Sequence, residues 1–329
     1  MTNKRFGCFG ICLLILLCIS ILFNLILIAA AGRRLAVRRA AMPREFEETT
    51  VEEGSGGSTD KVAVVSLQGL ISSSVAGQIG DSMVDDIKTA LRQALDDEKV
   101  KAILLHIDSP GGEVTAADTI YSAVRDARAK KPVVVYMGSV AASGGYYVAC
   151  GGSYLMANDT TITGSIGVIV ETVNYEQLLG KIGVQAVVFK SGAFKDILSG
   201  SRPMTEEEKA YIQGLVMQTY DKFVGIVSHE RKLPMEQLSP IADGRIISGM
   251  DAVHDRLIDK TGQIEDAFEK ARQLGHASGA AIVQYKAKFG LEKLFRLLGE
   301  AAPPKIELSL PQGLAPQLEP GRIYLLPGI

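Results

Sequence analysis

Tryptophan is absent from this 329-residue chain, and histidine is scarce, with four in all. Cysteine is equally scarce, and three of the four (Cys8, Cys12 and Cys18) lie in or beside one apolar run near the start. Cys150 stands alone in the remainder, which excludes an internal disulfide framework there. No His/Cys cluster has metal-ligand spacing, so neither a metal nor a cofactor is expected. A basic excess is also missing: Lys+Arg 35 against Asp+Glu 37 leaves a net charge of −2, which argues against a nucleic-acid partner. No GxSxG elbow, GxGxxG fingerprint or P-loop occurs. The 34 Gly and 12 Pro are too dispersed for collagen or for wholesale disorder.

What the chain does have is a long apolar start. No charged residue falls between Phe6 and Gly32, and Ile11 to Ala31 is interrupted mainly by Ser20 and Asn24. Crossing a bilayer takes about 20 apolar residues, whereas the core of a cleaved signal peptide is about 7–15. Residues 1–32 therefore read as an uncleaved single-pass anchor in the cell membrane, with the lipid bilayer as a partner. Cys18 follows Leu16-Leu17 and lacks the small preceding residue of a lipoprotein signal. Arg33, Arg34, Arg38 and Arg39 outnumber Lys4 and Arg5, so the positive-inside rule taken alone would hold the rest of the chain in the cytoplasm.

Residues 33–60 carry those arginines, acids from Glu45 to Glu53, and Gly54-Ser55-Gly56-Gly57-Ser58, the composition of a solvated stalk and linker. From Lys61 strand-like and helix-like runs alternate. Val62–Leu67, Ala102–Ile107, Val133–Met137, Tyr154–Ala157, Ile166–Val170 and Gln185–Lys190 read as strands. Helices are expected after Ser82, over Glu113–Ala129, Ala141–Cys150 and Asn174–Ile182, after the capping box Thr205-x-x-Glu208, and in two or three further segments to Leu274. Continuous apolar strands separated by helices indicate an α/β layer fold with buried parallel strands over 61–274. Residues 275–329 form an extension holding half of the twelve prolines, between Pro303 and Pro327. It also holds apolar stretches, Ile306–Leu310 and Ile323–Leu326, that ordinary disorder lacks.

Three Gly/Ser clusters carry the chemistry. Asp108-Ser109-Pro110-Gly111-Gly112 follows a strand and opens a helix, where bare backbone N–H groups make an anion or oxyanion pocket, or simply a turn. Gly138 to Tyr147 also follows a strand, and Ser143 stands between Ala and Gly at an expected helix start, with Ser139 on the turn as a rival nucleophile. The third cluster runs from Thr163-Gly164-Ser165-Ile166-Gly167 to Ser191-Gly192-Ala193-Phe194-Lys195-Asp196. A lysine set among apolar groups gives up its charge more readily and can act as a base; an exposed loop lysine is the ordinary alternative. His106 lies within an apolar strand and reads as a core residue rather than a triad member with Asp108.

Together these motifs resemble the signal peptide peptidase A (protease IV) family of membrane-anchored serine peptidases, in its single-length form. The resemblance covers about Lys61 to Gln273. It implies a Clp-protease/crotonase-type fold of repeated ββα units, preceded by one transmembrane helix. It also implies Ser143 as nucleophile, Lys195 as general base and Ser165 as the serine that orients the lysine. Gly111, Gly112 and Gly144 would form the oxyanion hole. Asp196 would have to turn away from the lysine. The expected function is endoproteolysis of extended apolar peptides, such as signal peptides left after secretion, by a domain outside the cytoplasm. The alternatives are a crotonase-like acyl-CoA enzyme, which would need neither Ser143 nor Lys195, and an inactive membrane scaffold. Double-length members hold base and nucleophile in different halves, so a single-length chain is expected to form a ring-shaped homo-oligomer. The tail from Lys305 is expected to dock on the protein's own surface, in or near the substrate groove.

Overall fold

The computed structural model describes residues 46–73 and 82–286, and the backbone of Tyr324–Leu325. The apolar run Ile11–Ala31 lies outside them. Among the described residues no helix is long and apolar enough to cross a membrane.

The chain passes through β1 (Glu47–Glu52), β2 (Lys61–Gln68), α1 (Met83–Asp96), β3 (Val100–Ser109), β4 (Gly112–Glu113), α2 (Val114–Arg128), β5 (Val133–Ala141) and α3 (Gly144–Ala149). It continues through β6 (Tyr154–Ala157), β7 (Ile162–Gly164), α4 (Glu176–Lys181), a 3-10 turn at Ala193–Asp196, and α5 (Glu206–Arg231). The last elements are α6 (Met235–Leu238), β8 (Ile246–Ser248), α7 (Gly249–His254), β9 (Lys260–Thr261), α8 (Ile264–Leu274), β10 (Ala281–Lys286) and β11 (Tyr324–Leu325).

The main sheet has the order β1-β10-β2-β3-β5-β6-β9. All neighbours pair in parallel except β1, which runs antiparallel to β10. Side chains alternate across each strand. Val65, Leu67, Ile103, Leu105, Val133 and Val135 share one core cluster with α1, α2 and α3. Val62, Val64, Leu104, Val134 and Met156 share the other with Ala267, Phe268 and Ala271 of α8. Burial on both faces explains why these strands read as continuous apolar runs.

Local signals set the helix starts. The Ser82 side chain accepts the Asp85 N–H at 3.1 Å, and Thr205 and Glu208 close a reciprocal capping box on α5. Behind the sheet, Glu230 of α5 accepts the Tyr121 hydroxyl at 2.7 Å and pairs with Arg128 at 2.8 Å, which joins α5 to α2.

Several expectations need correcting. The sheet takes in Glu47–Glu52 and Ala281–Lys286, beyond the 61–274 span. The helix expected over Ala141–Cys150 starts at Gly144, because β5 continues through Ala141. Ile166–Val170 is not a strand; the segment that pairs along β5 is Ile162–Gly164. Gln185–Lys190 is irregular, because a strand needs a neighbour and residues 180–195 stand exposed. Most of the Pro-rich extension lies outside the described residues, but β11 pairs antiparallel with β4.

Candidate active site

β5 and α3 join at Ser143, which caps the helix at φ 53, ψ −116. A side chain at such positive φ costs about 1–3 kcal/mol and persists only where its surroundings hold it. Those surroundings are backbone. The Ser143 N–H donates to the Gly164 carbonyl at 2.9 Å, and its carbonyl accepts the Tyr147 N–H at 2.8 Å. Tyr146 and Tyr147 fix the helix from below: Tyr146 donates its hydroxyl to the Leu257 carbonyl at 2.8 Å, and Tyr147 to Asp118 at 2.7 Å. Ser143 is fully buried, and its Oγ has no hydrogen-bond partner. A buried hydroxyl without a partner is costly and uncommon.

The 109–112 turn is packed against it. The Ala142 N–H donates to the Ser109 carbonyl at 3.1 Å. A Cβ on Gly144 would lie 3.2 Å from both Gly111 Cα and Gly112 N, and one on Gly145 would lie 2.7 Å from the Ser109 carbonyl oxygen. Gly111 donates its N–H to Ser109 Oγ at 3.1 Å, so that N–H is occupied. Gly112 forms a parallel bridge with Ile71 that uses the groups flanking it: Ile71 N–H to the Gly111 carbonyl, and Glu113 N–H to the Ile71 carbonyl, both 2.8 Å. The N–H and carbonyl of Gly112 itself therefore face the opposite edge. Gly144 contributes an N–H from the first turn of α3, which has no acceptor within the helix. Ser109 is a participant that the sequence reading quoted but gave no role.

Ser165 follows β7. It is buried at φ 49, and its N–H donates to the Arg245 carbonyl at 2.7 Å. Thr163 Oγ1 donates to the Ala141 carbonyl at 2.6 Å, which fixes β7 beside the nucleophile turn.

His106 belongs elsewhere. It lies beside Tyr136, with ring centroids 5.8 Å apart, on the strand face opposite Ser109, and burial lowers its basicity. The Asp108 carboxylate accepts the Val140 N–H at 3.0 Å. Among the described residues no Ser-His-Asp contact is present.

Lys195 sits in the 3-10 turn on a long excursion from the domain. The two legs of that excursion are tied: Thr172 Oγ1 to the Leu198 carbonyl at 3.0 Å, Asn174 Nδ2 to the Arg202 carbonyl at 3.1 Å, and the Tyr175 N–H to the Gly200 carbonyl at 2.8 Å. Phe194 rests on Tyr211 of α5, with centroids 5.4 Å apart. Asp196 is held by Arg202 at 2.6 Å and Lys190 at 2.7 Å, and Arg202 also binds Glu208 at 2.9 Å. The Asp196 carboxylate is thus engaged away from its neighbour Lys195. The Lys195 side chain is exposed, and no hydrogen bond or ion pair to it occurs among the described residues. No hydrogen bond joins Ser143 to Lys195 in this structure. The arm from Glu171 to Lys195 has little cover of any kind: α4 buries nothing, Phe189 is 95% exposed, Val187 72% and Val173 69%.

Comparison with known proteins bears on this constellation. The profile of peptidase family S49 matches residues 125–278, and that of Clp protease matches residues 62–161. A provisionally named signal peptide peptidase SppA of Enterococcus faecium is 36% identical over 248 residues, 74% of this chain and 71% of that protein. The chain belongs to peptidase family S49. Its class is that of the serine peptidases, and its α/β fold is Clp-protease-like. A provisionally named protease of Methanocaldococcus jannaschii is 42% identical over 203 residues, spanning 62% of this chain and 64% of that one. Protease 4 of Haemophilus influenzae is 35% identical over 218 residues, 65% of this chain but only 35% of that relative. The two matched stretches together contain all three Gly/Ser clusters.

Two outcomes follow from the geometry. A Cβ on Gly112 would lie 2.1 Å from the Ile71 carbonyl oxygen, at a φ of +153. Gly112→Ala should therefore cost about 3 kcal/mol, read as a lower midpoint in chemical denaturation. The second outcome concerns acid. Arg202, then Lys190, hold the Asp196 carboxyl well below the usual carboxylate range, and Arg202 with the Thr205 N–H lowers Glu208 to about 2. Unfolded carboxyls titrate near 4. Because the folded values are depressed, the stabilisation is complete above about pH 5 and is lost as pH falls through about 2. Hydrogen exchange over residues 191–202 should stay slow at pH 5 relative to its intrinsic rate and accelerate between about pH 4 and 2. Arg202→Met should give the fast regime already at pH 7.

Proposed function

We propose that the chain is a membrane-anchored serine endopeptidase in which Ser143 is the nucleophile and Lys195 the general base, supplied by a neighbouring copy. The observation that carries this reading is the mismatch between the two groups: a fully buried hydroxyl with no partner, and an exposed lysine with no side-chain partner among the described residues, on an arm of bare apolar residues. Exposed apolar patches of this kind mark protein–protein contacts. A head-to-tail contact, repeated with closure, makes a ring.

The chemistry then balances. Ser143 Oγ attacks the scissile carbonyl carbon while its proton passes to neutral Lys195 Nζ. The carbonyl oxygen becomes an oxyanion facing the N–H groups of Gly112 and Gly144. Gly111 shapes this pocket through its turn, since its own N–H is taken by Ser109. The C–N bond breaks, the leaving amine takes the proton from Lys195, and the acyl group remains on Ser143 as an ester. Lys195 next deprotonates a water, which releases the acid and restores the hydroxyl. Ser165, directly after the strand whose Gly164 carbonyl accepts the Ser143 N–H, orients the lysine when it arrives. A neutral lysine base needs apolar surroundings without a free carboxylate, and Asp196 is already engaged by Arg202 and Lys190.

An anchor over residues 1–32 would keep the site near the bilayer, where extended apolar peptides such as spent signal peptides collect. The reading places the domain outside the cytoplasm, against the arginine count. The acyl-CoA and idle-scaffold alternatives have no use for an unpartnered Ser143 paired with a lysine arm.

Lys195→Arg keeps the charge but cannot accept the proton, so turnover of a reporter peptide should fall by about a thousandfold. Ser143→Ala should be inactive and should not react with a serine-directed phosphonate. When Ser143→Ala and Lys195→Ala chains are co-assembled in equal amounts, about a quarter of sites regain both groups if the dyad forms between subunits. An intrachain dyad regains none, so zero activity in verified mixed assemblies would overturn the ring reading.

A further inference from the structure

β3 and β5 pair residue for residue from Ile103 with Val133 up to Ile107 with Met137, and there the register breaks. The next pair is Ser109 with Ala141, so one residue of β3, Asp108, stands opposite three of β5, Gly138, Ser139 and Val140. Extra residues in one strand make a bulge, a device that re-aims a strand beside a functional site. Its effect on Ser143 is a matter of length. In unbroken register Ser109 would face Ser139, and Ser143 would lie two residues farther along, a distance of about 6–7 Å. The bulge takes up that excess, and the 142–145 turn meets the 109–112 turn instead of overshooting it.

Side chains hold the excess in place. The Asp108 carboxylate accepts the Val140 N–H at 3.0 Å, in the place of the carbonyl that a regular ladder would supply. Thr161 Oγ1 donates to the Gly138 carbonyl at 2.7 Å and accepts the Asn158 N–H at 3.0 Å. Thr163 Oγ1 donates to the Ala141 carbonyl at 2.6 Å. Both threonines are buried. Gly138 leaves room for the crossing carboxylate: a Cβ there would lie 3.4 Å from Asp108 Cγ and 3.1 Å from His106 Nε2.

We propose that Asp108 is a positioning residue for Ser143: its carboxylate, together with the Thr161 hydroxyl, fixes the β5 bulge that sets how far the nucleophile reaches toward the Gly111–Gly112 turn. Asp108 acts through the Val140 N–H and the backbone that follows it, and needs only an acceptor oxygen to do so. The inference rests on the reading of Ser143 as nucleophile and adds to it the residues that set its reach. A misplacement of about 1 Å at a reacting centre costs about a hundredfold in rate, and that is a small part of the length the bulge absorbs. Such a loss falls on the chemical step rather than on substrate binding.

The test uses the full chain and two pairs of variants. Asp108→Ala and Thr161→Val remove the ties, whereas Asp108→Asn and Thr161→Ser keep an acceptor and a donor at the same places. Rates are expressed per folded molecule, with the folded fraction taken from chemical denaturation. Asp108→Ala and Thr161→Val should lose about a hundredfold in kcat on the reporter peptide and in the rate of phosphonate labelling of Ser143, with KM nearly unchanged. Asp108→Asn and Thr161→Ser should stay close to the unaltered chain. A merely structural role lowers the denaturation midpoint of Asp108→Ala and leaves kcat per folded molecule intact; that result would overturn the proposal. So would an Asp108→Asn chain as slow as Asp108→Ala, since charge rather than the acceptor would then matter. If Asp108→Ala does not fold, the Thr161 pair decides by the same criteria. If the unaltered chain neither cleaves peptide nor is labelled at Ser143, the nucleophile reading fails. Hydrogen exchange at the Val140, Ala142 and Ser143 amides then decides the staple itself: faster exchange in Asp108→Ala but not in Asp108→Asn supports it, and equal exchange in the two overturns it.

Discussion

Two backbone turns meet at the active site more closely than side chains allow, and the rest of the site depends on that approach. The 109–112 turn after β3 and the 142–145 turn after β5 touch through Gly144 and Gly145, where an added Cβ would lie within 3.2 Å or 2.7 Å of neighbouring backbone. The contact needs two adjacent parallel strands ending at the same level, which the pairing of Ser109 with Ala141 provides. It also needs residue 143 to turn sharply, which the positive φ of Ser143 accomplishes. Buried strands on either side and the Tyr146 and Tyr147 hydrogen bonds beneath make that turn rigid enough to hold a hydroxyl with no partner.

The proposed base, Lys195, is positioned by different means. Among the described residues, little packs under the arm that carries Lys195. Its root is fixed by charge, through Arg202 between Asp196 and Glu208, and by the rings of Phe194 and Tyr211. On the proposed reading the domain holds its nucleophile in a core and presents its base on a surface. That division suits a neighbour better than it suits the same chain, because an arm bearing Val187, Val188 and Phe189 in water gains free energy by being covered.

The layer fold was legible in the sequence because parallel strands buried on both faces leave unbroken apolar runs, as in Ala102–Ile107 and Val133–Met137, and because Ser82 and Thr205 cap their helices with their own side chains. Ser143, Lys195 and the glycine turns were legible as motifs. What was not legible depends on partners distant in the chain. The β1 strand, Glu47–Glu52, is exposed along its whole length and reads as a solvated stalk; only its pairing with β10 makes it a strand. Acids along a sheet edge also discourage other chains from adding there. Gln185–Lys190 has a strand's composition but no neighbour. Ser109 hides its role because its target, the Gly111 N–H, is a backbone group that no spacing rule exposes. Arg202 gives no signal at all, since the carboxylates it joins are ordinary loop and helix-start acids in sequence.

Cys150 caps the C-terminal end of the same short helix that begins beside Ser143. Its thiol is buried, and that burial pushes it up to about 12. At neutral pH only about one molecule in 10⁵ carries the thiolate, which is the form that oxidants and alkylating agents attack. Among the described residues the one cysteine therefore offers oxidants little thiolate on the helix that begins beside Ser143.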